Sequence, residues 1–168
     1  MTEIQIETER LALINFQSQY KEQYVEIMTN PIVTKFLGDG KNRTKEEMES
    51  NFGKHNGIRE KYGFGVWIIL KKDTNEVIGQ CGFLPVGQTG DVELLYALKQ
   101  SEWGKGYAYE AAKAAKNYAK NVYGWKKLVA FAYPENTGSI NVLKKLGFSD
   151  DGKYHIFGVD LNKYSVNL

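Results

Sequence analysis

The stretch Glu102-Trp103-Gly104-Lys105-Gly106-Tyr107-Ala108 holds the residue types in this chain best placed to do chemistry. Two glycines one residue apart let a backbone approach a ligand closely. Where such a pair opens a helix, the first helical N–H groups are unpaired donors at the positive end of the helix dipole. A pyrophosphate can sit there without any charged side chain, and Lys105 would add a charge-assisted contact to an outer phosphate. A bare Gly-x-Gly reads equally well as a tight turn. Two common phosphate motifs do not fit. A dinucleotide fingerprint needs a third glycine where Tyr109 stands, and a Walker loop needs Ser or Thr directly after Gly-Lys, where Gly106 follows.

Other reactive side chains read as structural. Cys81 lies in the apolar run Val77–Leu84 and is expected to be a buried, inert thiol. His55 and His155 have no cysteine or second histidine at ligand spacing, so no metal site is expected. Trp67, Phe83 and Tyr96 are most simply core or pocket wall, and Lys144-Lys145 a solvated helix face with a minor alternative of touching a ribose phosphate.

The elements that must position the loop can be read from period and punctuation. Ile4 to Phe16 reads as a strand interrupted by the polar patch Glu7–Arg10. Tyr20, Tyr24, Ile27 and Met28 have helical spacing, with Asn30-Pro31 as a stop. Thr44-Lys45-Glu46-Glu47 has the capping-box pattern and predicts a helix running toward Tyr62, though Gly53 and Gly57 weaken it. Phe64–Leu70 and Val77–Leu84 predict an antiparallel pair around Asp73-Thr74-Asn75, and Asp91–Leu98 a further strand. Tyr107–Tyr123 is the strongest helix signal and stops at Gly124. Leu128–Ala132 predicts a buried strand, Ser139–Leu146 a short helix closed by Gly147, and Tyr154–Val166 one or two strands. A crossover helix between Leu98 and Leu128 makes those two strands parallel neighbours.

With the elements in that order, the segment WGKGYAYEAAKA resembles the acyl-CoA pyrophosphate loop of the GNAT superfamily of N-acetyltransferases. More narrowly, it is similar to the ribosomal-protein N-terminal acetyltransferase (RimJ/RimL-like) branch. ETERLALINF resembles that branch's opening strand, NPIVTKFL its first helix exit, EVIGQCGF its central hairpin strand, ELLYAL its cofactor-contacting strand and NTGSINVLKKLGF its second signature. The resemblance implies an α/β (α+β) fold: a mixed, mostly antiparallel sheet with one parallel strand pair, flanked by about four helices. It implies that the strand Tyr96-Ala97-Leu98 pairs its backbone, at Tyr96 and Leu98, with the pantetheine arm of acetyl-CoA. It also implies that Trp103, Gly104, Lys105, Gly106, Tyr107 and Ala108 hold the pyrophosphate, and that Asn136, Ser139 and Asn141 lie beside the arm. Two departures stand out. Trp103 replaces the Gln or Arg that often opens the loop, and Leu143 stands where many relatives have a tyrosine acid.

Acetyl transfer from a thioester to an amine needs a base for the ammonium, a donor for the oxyanion and, less urgently, a proton for the leaving thiolate. Glu93, at the start of the cofactor strand, is the candidate base; its bland reading is a solvated strand-end carboxylate. Ser139 is the candidate acid; its bland reading is an ordinary N-cap. The acceptor pocket is expected between the segment Met28–Tyr62 and the last strands.

Composition bounds the rest. The 168 residues suit one acetyltransferase domain, 1–168, with 42% hydrophobic and 25% charged residues. A net charge of +2 argues against nucleic-acid binding, and no run of about 20 apolar residues suggests a membrane span. The polar start Met1–Arg10 is unlike a secretory signal, and one cysteine permits no intrachain disulfide, so a cytoplasmic location is expected. The expected partners are acetyl-CoA and an amine acceptor, either a protein N-terminus or a small molecule such as a polyamine, amino acid or aminoglycoside. A monomer and a homodimer fit equally. Two other readings stay open: a non-catalytic acyl-CoA sensor, and a phosphate-binding protein unrelated to coenzyme A.

Overall fold

The computed structural model describes residues 3–168, so Met1 and Thr2 of the polar start lie outside the described residues. Ile4–Glu7 (β1) and Leu11–Ile14 (β2) pair antiparallel across the polar patch. A 3₁₀ turn at Ser18–Tyr20 leads into α1 (Lys21–Met28). Asn30 then caps a single further turn, α2 (Pro31–Thr34), its side chain accepting from the Ile32 N–H at 3.0 Å. Asn30-Pro31 is thus a stop and a restart, because proline suits the first turn of a helix, where its missing N–H costs nothing. In α3 (Lys45–Tyr62) the capping box closes in both directions. The Glu47 N–H donates to Thr44 Oγ1 at 3.1 Å and the Thr44 N–H to Glu47 Oε2 at 2.8 Å. The helix runs through Gly53 and Gly57 to its left-handed stop at Gly63.

Strands β3 (Val66–Lys71), β4 (Val77–Pro85) and β5 (Val92–Leu98) form an antiparallel meander. Then come α4 (Tyr107–Asn121), β6 (Lys127–Ala132), α5 (Thr137–Lys145), β7 (Ser149–Ile156) and β8 (Val159–Asn167). The sheet order is β1-β2-β3-β4-β5-β6-β8-β7, and β5–β6 is its parallel pair, as the crossover helix requires. The last segment is two strands and begins earlier than Tyr154. β7 is the exposed edge strand, so it has no apolar alternation to announce it. The described residues hold five α-helices where about four were expected, the short α2 being the addition. None of them is long and apolar enough to cross a membrane.

Helices cover both faces of the sheet. On one, α4 and α5 set Ala111, Ala112, Ala115, Ala119 and Leu143 against Leu13, Trp67, Ile69, Phe83 and Leu94. The alanines let α4 lie close to the strands. On the other, α1 and α3 bring Tyr24, Val25, Met28, Met48 and Phe52 onto Ile14, Ile68 and Leu70. Burial from both sides explains why β3 reads as an unbroken apolar run rather than alternating. Within the second core the Tyr24 hydroxyl donates to Gln80 Oε1 at 2.9 Å and lies 3.2 Å from His55 Nε2.

The feature that positions a site is the parallel pair itself. β5 and β6 share the single register pair Glu93↔Val129, beyond which their C-terminal ends part. Crevices at the carboxyl ends of diverging strands are where open α/β sheets take ligands.

Candidate active site

The Lys99 N–H donates to Ile78 O at 2.9 Å, and Leu98 lies opposite Gly79. Antiparallel ladders alternate, so the odd-numbered residues of β5 turn their backbone groups to β4. The even-numbered ones, Tyr96 and Leu98 among them, turn theirs toward the gap beside β6. One of these groups is already engaged: Trp103 Nε1 donates to Leu98 O at 2.8 Å. Ala97 turns its backbone toward Gln80 and its buried side chain into the α1–α3 core, so it does not join its neighbours at the gap.

Past a 3₁₀ turn at Gln100–Glu102 the loop bends at Gly104 (φ 74°) and Gly106 (φ 82°), both in the left-handed region that glycine alone enters cheaply. Gly106 is the N-cap of α4 and supplies no side-chain cap, whereas Asn30, Thr44 and Asn136 cap α2, α3 and α5. The Glu110 N–H closes on Gly106 O at 3.0 Å. The N–H groups of the turn before it, at Tyr107, Ala108 and Tyr109, therefore have no carbonyl one helical turn back. That is an anion cradle made of backbone. Lys105, expected to reach a phosphate, here points its ammonium at the buried Glu102, 3.3 Å away.

A brace absent from the sequence reading holds this loop. Arg10 Nη1 donates to Lys105 O at 2.9 Å, and Arg10 Nε pairs with Glu110 Oε2 at 2.6 Å. The Arg10 N–H and the Thr8 hydroxyl both donate to Glu110 Oε1, at 2.9 and 2.7 Å. The guanidinium also lies 4.3 Å over the Tyr107 ring. Partial burial opposes the Glu110 carboxylate, but the bonds from Thr8 and Arg10 outweigh it and hold its pKa below the usual range.

Glu93 sits opposite Leu84 of β4 and Val129 of β6, at the point where the strands part. Burial pushes its pKa up to about 7. It faces a cavity of about 360 Å³ between the end of β4 and the β7–β8 hairpin. The cavity is walled in part by the last strands, and from the Met28–Tyr62 segment Gly38 O accepts from Tyr133, just past β6, at 2.9 Å while the Phe36 ring meets the Tyr133 ring at 5.8 Å.

Tyr96 and Glu93 lie on opposite faces of the sheet, since three residues separate them on a period-2 strand. The Tyr96 hydroxyl meets α5: it donates to Ser139 O at 3.1 Å and is 3.0 Å from Ser139 Oγ. Burial pushes the Tyr96 pKa upward despite the bond from Ser139, so the phenol keeps its proton. Ser139 is not the N-cap that its bland reading proposed. Asn136 is, with its Oδ1 accepting from the Ser139 N–H at 3.3 Å, which frees the serine hydroxyl for Tyr96. Asn141 is exposed and about 200° further round the helix. The structure does not gather it with Ser139. Leu143 is core, 1% exposed.

Cys81, the cross-strand partner of Tyr96, is fully buried and its thiol is pushed up by desolvation. His155 pairs with Asp160 at 2.8 Å on the hairpin, and His55 lies in the core, stacked on Phe16. Among the described residues no group of three His, Cys, Asp or Glu side chains is placed to hold a metal.

The family model for an acetyltransferase (GNAT) domain matches residues 10–149. A Bacillus licheniformis protein named N-acetyltransferase p20 is 30% identical over 146 residues, which is 86% of this chain and 82% of that one. An Agrobacterium tumefaciens acetyltransferase of known structure is 27% identical with a TM-score of 0.83, covering 97% of this chain and 94% of its own. A ribosomal L7/L12 α-N-protein acetyltransferase, solved with coenzyme A, shares the fold at 17% identity and a TM-score of 0.83, over 99% of this chain and 98% of that one.

Proposed function

Because the chain belongs to the GNAT acetyltransferase family, and so is an acetyl-CoA-dependent N-acetyltransferase, we propose that it acetylates a primary amine by direct attack in a ternary complex. Glu93 is the base and the Tyr96–Ser139 hydroxyl pair is the acid. The observation that carries this reading is the placement of Glu93 and Tyr96 on opposite faces of β5, where the strand parts from β6. A thioester carbonyl in that gap meets a base on one side and a proton source on the other.

Glu93 takes a proton from the ammonium, directly or through a water, and the freed nitrogen lone pair attacks the thioester carbon. A backbone N–H on the gap-facing edge of β5 stabilises the oxyanion; such donors are worth roughly 2.7–4 kcal/mol in acyl transfer. Collapse breaks the carbon–sulfur bond, and the thiolate takes a proton from Tyr96, resupplied through Ser139. The second nitrogen proton restores the one given to sulfur. The pyrophosphate rests on the N–H groups of the Trp103–Ala108 loop and the pantetheine arm on the free groups of Tyr96 and Leu98. This accounts for the acid without a tyrosine at position 143. The acceptor amine belongs to a protein N-terminus or a small molecule, and the relative solved with coenzyme A is named for the former.

The test is thiol release from acetyl-CoA by Glu93→Gln and Tyr96→Phe, beside calorimetric titration of acetyl-CoA. Glu93→Gln should cut turnover by roughly 10²–10⁴-fold, the usual worth of a positioned base, with acetyl-CoA affinity retained. Unchanged turnover removes Glu93 from the mechanism, and normal turnover of both Tyr96→Phe and Ser139→Ala removes the acid.

A further inference from the structure

The cavity beside Glu93 has walls that select among amines, an inference that rests on Glu93 as the base. Leu84 and Pro85 of β4 and Val86 just past it line one side, and Tyr154, Ile156 and Phe157 line the other from the hairpin. Glu93 is the one carboxylate among its lining residues. Asp91 is held by Lys163 and Lys127 at 3.2 and 3.5 Å, and Asp160 by His155 at 2.8 Å. A second cationic group of an acceptor would find no other carboxylate among the lining residues, and charge left unpaired against the apolar side chains there is costly.

Phe157 supplies an independent observation. Ile156 and Val159 are register partners, so Phe157-Gly158 is a two-residue hairpin loop, with φ of 57° and 75°. Positive φ at both positions is the type I′ pattern, whose first position favours Asn, Asp or Gly. A bulky side chain there is a strained outlier. The ring is also 49% exposed, so burial within the chain does not repay the strain. The same ring borders the cavity.

We infer that the acceptor is a compact primary monoamine with an apolar body, which seats that body among Leu84, Val86, Ile156 and Phe157 and presents its amine to Glu93. Phe157 is then a specificity residue, kept for the ligand and not for the turn.

Steady-state acetylation of phenylethylamine, spermidine and serine- and alanine-started peptides by the full chain tests this, together with Phe157→Asn. Phenylethylamine should exceed spermidine in kcat/KM by about tenfold or more, the effect of roughly 1.4 kcal/mol. Phe157→Asn relieves the turn, so its melting temperature should hold or rise. Its KM for phenylethylamine should rise about tenfold, as loss of one partly buried aromatic contact implies, with acetyl-CoA affinity unchanged. A purely structural role would lower the melting temperature of Phe157→Asn and leave its KM unchanged. Preference for spermidine or the peptides, or an unchanged KM in Phe157→Asn, overturns the inference and leaves the acetyltransferase mechanism standing. Acetyl-CoA binding with no amine acetylated overturns both.

Discussion

At Glu93 the burial that makes a carboxylate useful also makes it costly. With its pKa at about 7, roughly half the protein carries the basic form at neutral pH. The pH profile of kcat/KM should rise through about 7, reporting the free enzyme. The same shift has a stability consequence. A carboxyl whose folded pKa lies above its unfolded value favours folding below the unfolded value, and that stability is lost as pH rises through the folded one. Glu93→Gln should therefore be more stable than the native chain above pH 7, by up to about 3 kcal/mol at 1.36 kcal/mol per pKa unit. The advantage should vanish near pH 4.5, the ordinary value for this side chain. Paired thermal melts across that range check the sign, and an advantage that grew toward acid pH would contradict it.

At the scale of elements the Trp103–Ala108 loop, proposed to hold the pyrophosphate, depends on a strand turn far from it in sequence. Arg10 and Glu110 are 100 residues apart, yet together they fix the Lys105 carbonyl and the first turn of α4. Arg10→Ala should raise the KM for acetyl-CoA roughly five-fold, about 1 kcal/mol, the scale of a partly exposed charge-assisted bond, and leave kcat within about two-fold. Glu110→Gln should do the same, and the double variant should be little worse than either, since both remove one network. A fall in kcat with KM unchanged would place the pair in the chemistry instead. At α5, Asn136→Ala removes a cap and should cost about 1 kcal/mol of stability while also loosening Ser139.

The molecule as a whole is a sheet with a core on each face, and the α1–α3 core carries an acid sensitivity of its own. The Tyr24 hydroxyl donates to Gln80, so His55 supplies its Nε2 proton to Tyr24, and its Nδ1 is left without a partner. Burial, aided by the Arg59 charge, lowers the His55 pKa to about 4. A histidine depressed in the folded state stabilises it above the unfolded value of 6.5, and that contribution is lost as pH falls toward 4. In a Glu93→Gln background, which removes the opposing carboxyl titration, the melting temperature should drop over this window, and adding His55→Gln should flatten the drop even if it is less stable at neutral pH. Melts at pH 7.5 and 5 for both chains measure it.

Much of this was determined by the sequence alone, because the signals are local. The Gly-x-Gly turn, the Thr44 capping box, the crossover helix and each separate motif lie within one short stretch of neighbouring residues. The family resemblance, through its cofactor strand and second signature, brought Glu93 and Ser139 forward as candidates. What only the tertiary structure decided is which side chains from distant segments meet. Ser139 was legible as a helix-start serine. Its freedom to meet Tyr96 depends on Asn136 taking the cap and on α5 lying over β5. Arg10 read as part of a polar turn, since nothing in its neighbours reports that the sheet order carries β1 and β2 to the start of α4. Phe157-Gly158 gives a weak turn signal because phenylalanine is a poor turn residue, and only the hairpin register reveals its φ and its place beside Glu93. Sequence patterns encode which face of an element is buried. Contacts across 40 to 100 residues are set by how the faces stack, and no period records that.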